Sequence, residues 1–150
     1  MLDSLKRLIM ASLLYLISAS AGTLLAIKDH LPAQFGGFLG GNDVVLDFLT
    51  WRGTALSAPL VMLLAQILFT VLAVRPGSAG AIGIGGLTVL GAMYTLGQLG
   101  EPILVRALGG ATSVWVLAVV AANLLLALLM LLFGAIAWRN RPVTIRPASR

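Results

Sequence analysis

Cysteine is missing from this 150-residue chain. No disulfide, thiolate metal site, iron–sulfur cluster or thiol relay can form in it, and the redox compartment leaves no trace. Charge is scarce as well. Only 10% of the residues are Asp, Glu, Lys or Arg, against about 25% in ordinary soluble domains. Such a chain cannot coat a water-facing surface, so lipid must solvate much of it. Histidine occurs once, as His30, outside every long apolar run, which argues against haem held by paired axial histidines. With no histidine or cysteine beside a serine in those runs, nucleophilic catalysis lacks a base. The expectation is a protein that is not an enzyme and has no cofactor and no metal.

Apolar sequence is what the chain has instead, at 59% of its residues. Four runs, 8–27, 55–74, 79–99 and 113–138, carry no charge. At 1.5 Å per residue, roughly 20 apolar residues cross a hydrocarbon core of about 30 Å. Backbone amides in lipid must bond within their own segment, so each run reads as a helix. The predicted fold class is an all-α integral membrane protein. It is a single transmembrane domain of four helices running up-down-up-down, with outer loops at 28–54 and 100–112 and a tail at 139–150.

Basic residues set its orientation, because they gather on the cytoplasmic side. Lys6, Arg7, Arg75, Arg139, Arg141, Arg146 and Arg150 fall on one side. Lys28, Arg52 and Arg106 fall on the other, beside Asp29, Asp43, Asp47 and Glu101. Both termini are therefore expected in the cytoplasm. The net charge of +5 reads as this orientation signal rather than as a nucleic-acid footprint, since the tail "RNRPVTIRPASR" has no aromatics and is suited to anionic headgroups. Heavy use of alanine, leucine, glycine and arginine points to the inner membrane of a bacterium. The start also has the pattern of a signal peptide, "MLDSLKR", "LIMASLLYLI" and "ASAG". Because the apolar run continues through "GTLLAI" to spanning length, a retained helix is the better expectation.

In the first outer loop, Gly36, Gly37, Gly40 and Gly41 predict a flexible middle, and Asn42 an N-cap for a short amphipathic helix with Asp43 in its first turn. Trp51 belongs at headgroup depth. His30, Asp29, Asp43 and Asp47 have no fixed ligand spacing, so they do not read as a metal site, and His30 is expected to be a solvated loop residue. In the second outer loop Pro102 suits a first helical position, and Thr112 or Ser113 can cap the last span.

The third run is loaded with glycine: Gly80, Gly83, Gly85, Gly86 and Gly91. A nucleotide-binding glycine loop needs a strand before it, and here a Pro-Gly turn precedes it. Close helix packing is the better account. Gly80, Gly83, Leu87, Gly91, Tyr94, Gln98 and Glu101 recur every three or four residues and so share one face, small along most of its length and polar at its end. Gln66 in the second run and Asn123 in the fourth are further polar residues that should face inward. Gln66, Tyr94, Gln98, Glu101, Arg106 and Asn123 are the candidate pocket residues, weighed against separate helix-to-helix bonds.

Two expectations for function follow. The first is a non-catalytic accessory protein that packs through its glycine-lined helix with a copy of itself or a membrane partner. The alternative is an outward-open binder or carrier of a small or lipid-like molecule. Besides the lipid bilayer, no nucleic acid is an expected partner. The size and four-span layout look like the small multidrug exporters, but the glutamate that defines their first span has no counterpart in "LIMASLLYLISASAGTLLAI", and no family is assigned.

Overall fold

The computed structural model describes residues 2–34, 41 and 43–141. Among these, six helices follow one another: α1 (Leu2–Lys28), α2 (Val44–Leu49), α3 (Leu60–Ala73), α4 (Gly77–Gly100), α5 (Pro102–Leu108) and α6 (Val114–Arg139). Three of them, α1, α4 and α6, are long and apolar enough to cross a membrane. The protein is thus a helical membrane protein, with three helices of spanning length among the described residues. α3 has 14 residues, which at 1.5 Å each is about 21 Å and falls short of a core of about 30 Å.

The reason lies in "GTALSAP", where the sequence predicted helix from residue 55. Pro59 takes ψ 151° as the residue before α3, and the chain ahead of it folds into a tight turn. The Thr54 N–H donates to the Ser57 carbonyl and the Ser57 N–H donates back to Thr54. Gly53, at φ +78°, enters the turn, and a Cβ there would lie 2.7 Å from the Ser57 carbonyl oxygen. Non-helical backbone inside a membrane protein must be enclosed by protein. Here it is: Thr54, Ala55, Leu56 and Ser57 are all buried.

Local chemistry also sets the other helix ends. α1 closes when the Leu31 N–H reaches the Ala26 carbonyl and the His30 N–H reaches that of Ile27. This places His30 in the left-handed region at φ 50°, the position that glycine more often fills in such a motif. α2 is capped by Asp43, whose carboxylate accepts from the Val45 and Leu46 N–H groups. That moves the cap one residue from Asn42, which lies outside the described residues, as do Gly36, Gly37, Gly40 and the tail from 142 onward. Asp47 is buried beside Val44, and Val45, Leu46 and Leu49 are exposed. Pro102 opens α5 and Ser113 caps α6 through the Val116 N–H.

α6 packs along both α1 and α4, and α4 packs along α3, while contact between α1 and α3 is slight. Lipid tails are as apolar as leucine, so burying more leucine does little to hold membrane helices together. Close approach and hydrogen bonds matter more. A Cβ on Gly86 would run into the Phe69 ring of α3, and one on Gly91 would sit 2.7 Å from the Leu131 nitrogen of α6. The glycine face of α4 is therefore filled from within the chain.

Candidate functional site

The polar face predicted for α4 is buried along its whole length, from Gly80 through Gly83, Leu87, Gly91, Tyr94 and Gln98 to Glu101 just past the helix end. At the Glu101 end it borders a cavity of about 210 Å³. α4 contributes Met93, Tyr94, Gly97 and Gln98; α1 contributes Tyr15 and α3 contributes Met62. The remaining wall comes from Trp51, Arg52 and the buried turn at 54–59, with Ala33 on the far side. That turn would not border a cavity had the second run been helical from residue 55.

Polarity is graded along the cavity. Where α1, α3 and α4 meet, Tyr15 and Tyr94 stack at 4.4 Å between ring centroids and 6° between planes. The Tyr94 hydroxyl donates to the Met62 carbonyl at 3.1 Å, which fixes the orientation of its ring. Toward the end of α4 come Gln98 and Glu101, each about nine-tenths buried. The Gln98 amide nitrogen has no hydrogen-bond partner, an arrangement that costs about 1–3 kcal/mol unless something supplies an acceptor. Arg52 reaches Asp47 at 3.4 Å and lies over the Trp51 ring, so its charge is already engaged.

Glu101 also borders a second, smaller cavity of about 90 Å³, with His30, Gln34 and Arg106. The Gln34 N–H donates to the Glu101 carboxylate at 3.1 Å, and the Gln34 side-chain oxygen accepts from Arg106. Burial pushes the Glu101 carboxyl up from its ordinary value of 4.5, against the lowering effects of the Gln34 N–H and the Arg106 charge. A carboxyl raised by folding binds more protons in the folded state than in the unfolded one. Its contribution to stability is complete below about pH 4.5 and fades as pH rises through the higher folded value. Melting temperature measured against pH should show that fall. Glu101→Gln, which keeps the shape without the titration, should flatten it and melt higher than wild type at neutral pH.

Two of the predicted pocket residues are placed elsewhere. Gln66 sits deep between α1 and α3, and its amide donates to both the Ser12 carbonyl and the Ser12 hydroxyl at 2.9 Å. Ser12 bonds Thr70, and Thr70 returns to the Gln66 carbonyl, which closes a polar ring. Asn123 on α6 donates to the Leu56 carbonyl at 2.7 Å and thereby pins the buried turn. Tyr94, Gln98 and Glu101 converge, Arg106 stands one residue further out through Gln34, Gln66 bonds α3 to α1, and Asn123 bonds the turn. Gly80 fits against the Arg75 carbonyl, Gly83 and Gly86 against α3, Gly91 against α6 and Gly85 beside Trp138. Among the described residues no three of His, Asp and Glu gather as metal ligands.

Comparison with family models, with curated proteins and with solved structures finds no match to this chain. The reading of the site therefore stands on its geometry.

Reading single residues missed Tyr15, Gln34 and Arg52. Tyr15 had a signal, since Leu8, Ser12, Tyr15, Ala19, Gly22 and Ala26 recur at helical spacing; all of them are buried. Gln34 had none, because a loop position is set by the fold around it.

Proposed function

We propose that this chain is a membrane-embedded binding protein for a small molecule with an apolar body and a polar end. One observation carries the reading: Tyr94, Gln98 and Glu101, three polar residues from one buried face, border a single cavity. Sites for drug-sized ligands run to about 300–1,000 Å³. A cavity of about 210 Å³ suits a smaller molecule or one end of a longer one. The rival expectation, an accessory protein working through the glycine face of α4, needed that face free for a partner. With α3 and α6 filling it, the binding reading has the better support.

The membrane layout we propose has four crossings in an up-down-up-down bundle within a cell membrane, with both termini cytoplasmic. The fourth crossing would combine α3, about 21 Å long, with the segment that leads into it through the extended Pro59, where each residue adds up to about 3.5 Å. Support for it comes from the enclosure in protein of the turn ahead of α3 and from the side on which Lys and Arg gather.

Gly97 provides the test. It borders the cavity, and a Cβ built there meets nothing within 4 Å, so a larger side chain should enter the space without disturbing the helices. Propylphenol, a small neutral hydroxylated probe, should bind saturably to the wild type in saturation-transfer NMR. Gly97→Leu should weaken that binding at least about tenfold, equivalent to about 1.4 kcal/mol, with melting temperature no lower than that of the wild type. Equal binding by both proteins would remove the site.

A further inference from the structure

Building on that binding site, we infer that its ligand is a single-chain amphiphile with an uncharged or cationic, hydrogen-bond-donating head, entering sideways from the bilayer. The opening of the cavity is the first ground. Ile82, Val89, Met93 and Leu96 form an exposed stripe on α4 at helical spacing, the face such a helix turns to lipid. Met93 is at once part of that stripe, 49% exposed, and part of the cavity wall. Gly97, next along the helix from Leu96, leaves open space where a side chain would close the gap. The cavity thus communicates with the surface that hydrocarbon covers.

Its polarity gradient is the second ground. From Met93 to Glu101 the wall runs about 12 Å along the helix axis, from methionine and tyrosine to amide and carboxylate. A bilayer leaflet changes from hydrocarbon to headgroup in the same direction when Glu101 lies at the surface. A molecule already dissolved and oriented in that leaflet would slide in without turning over. The cavity is too small for a whole lipid, so the chain of the ligand stays in the gap at Met93 with its far end in the bilayer. Glu101 then sets the head. Its carboxylate holds one N–H, from Gln34, and retains lone pairs for a hydroxyl or amine. A carboxylate or phosphate head would meet like charge, and the nearest cation in the cavity, Arg52, is occupied by Asp47.

The absence of cysteine makes the test clean. In lipid nanodiscs, Gly97→Cys should react with a bilayer-dissolved N-alkyl maleimide faster than with a charged, water-soluble methanethiosulfonate. Monooleoylglycerol at about ten times its dissociation constant should slow that labelling about tenfold, because only the empty site reacts. Oleate and phosphatidylcholine should leave it unchanged. Leu96→Cys, on the lipid-facing stripe, should label at one rate with or without monooleoylglycerol. Faster labelling by the water-soluble reagent would overturn sideways entry, and equal protection by oleate would overturn the head assignment. In either case propylphenol binding that Gly97→Leu abolishes would leave the binding site itself standing. No labelling by either reagent, together with no propylphenol binding, would end both.

Discussion

Gly83→Leu is expected to abolish the packed fold, with the purified protein aggregating or losing its cooperative melt, while Gly97→Leu on the same helix melts no lower than wild type. By propensity alone both changes should help, since leucine favours a helix over glycine by about 1 kcal/mol. Geometry decides against that at Gly83. Even a Cβ there would lie 2.6 Å from the Ala73 Cα and from the Leu72 carbonyl carbon, both backbone atoms that cannot rotate away. Overpacking a core costs about 1–3 kcal/mol where side chains yield, and more where they do not. A whole leucine would push α3 off α4, and α3 helps to hold the Tyr94 hydroxyl through Met62. Equal melting of the two variants would mean that α3 and α4 do not approach as described.

Asn123→Ala is expected to lower stability by about 1–3 kcal/mol, the cost of leaving the buried Leu56 carbonyl without a donor. Interhelical hydrogen bonds in membrane proteins average only about 0.6 kcal/mol, because the loosened state finds other partners. This one differs in its acceptor. Leu56 sits in the buried non-helical turn, is 0% exposed and has its carbonyl against Gly22 as well, where a Cβ would come within 2.6 Å. Water cannot replace the lost donor easily. The same change should weaken propylphenol binding, since the turn walls the cavity. Reversible denaturation in mild detergent measures the first effect; a loss near the average value would mean that the turn is not pinned.

How far the sequence alone reached depends on the element. α1, α4 and α6 were legible because a spanning helix needs only length and uninterrupted apolarity, and the face from Gly80 to Glu101 followed from helical spacing. α3 was misjudged at its start. "ALSAP" is apolar enough to read as the beginning of a span, and only tertiary enclosure, with Asn123 donating to Leu56, makes a turn there tolerable. That one misreading hid the cavity wall. It also explains why Asn123 looked like a ligand residue: a buried amide facing inward has the same signature whether it meets a ligand or a backbone carbonyl. Gln66 shares that ambiguity, and its partners Ser12 and Thr70 are ordinary in sequence. Glu101 stood out because an isolated carboxylate at the end of an apolar helix is rare. Its tie to Gln34 could not be read, since the two are brought together by the fold.

Native mass spectrometry of the protein released from its own membrane tests the binding claim most directly. The wild type should retain a bound small molecule of defined mass, and Gly97→Leu, folded and melting no lower than before, should lack it. A wild type that carries nothing, or a variant that carries the same mass to the same extent, would contradict the account.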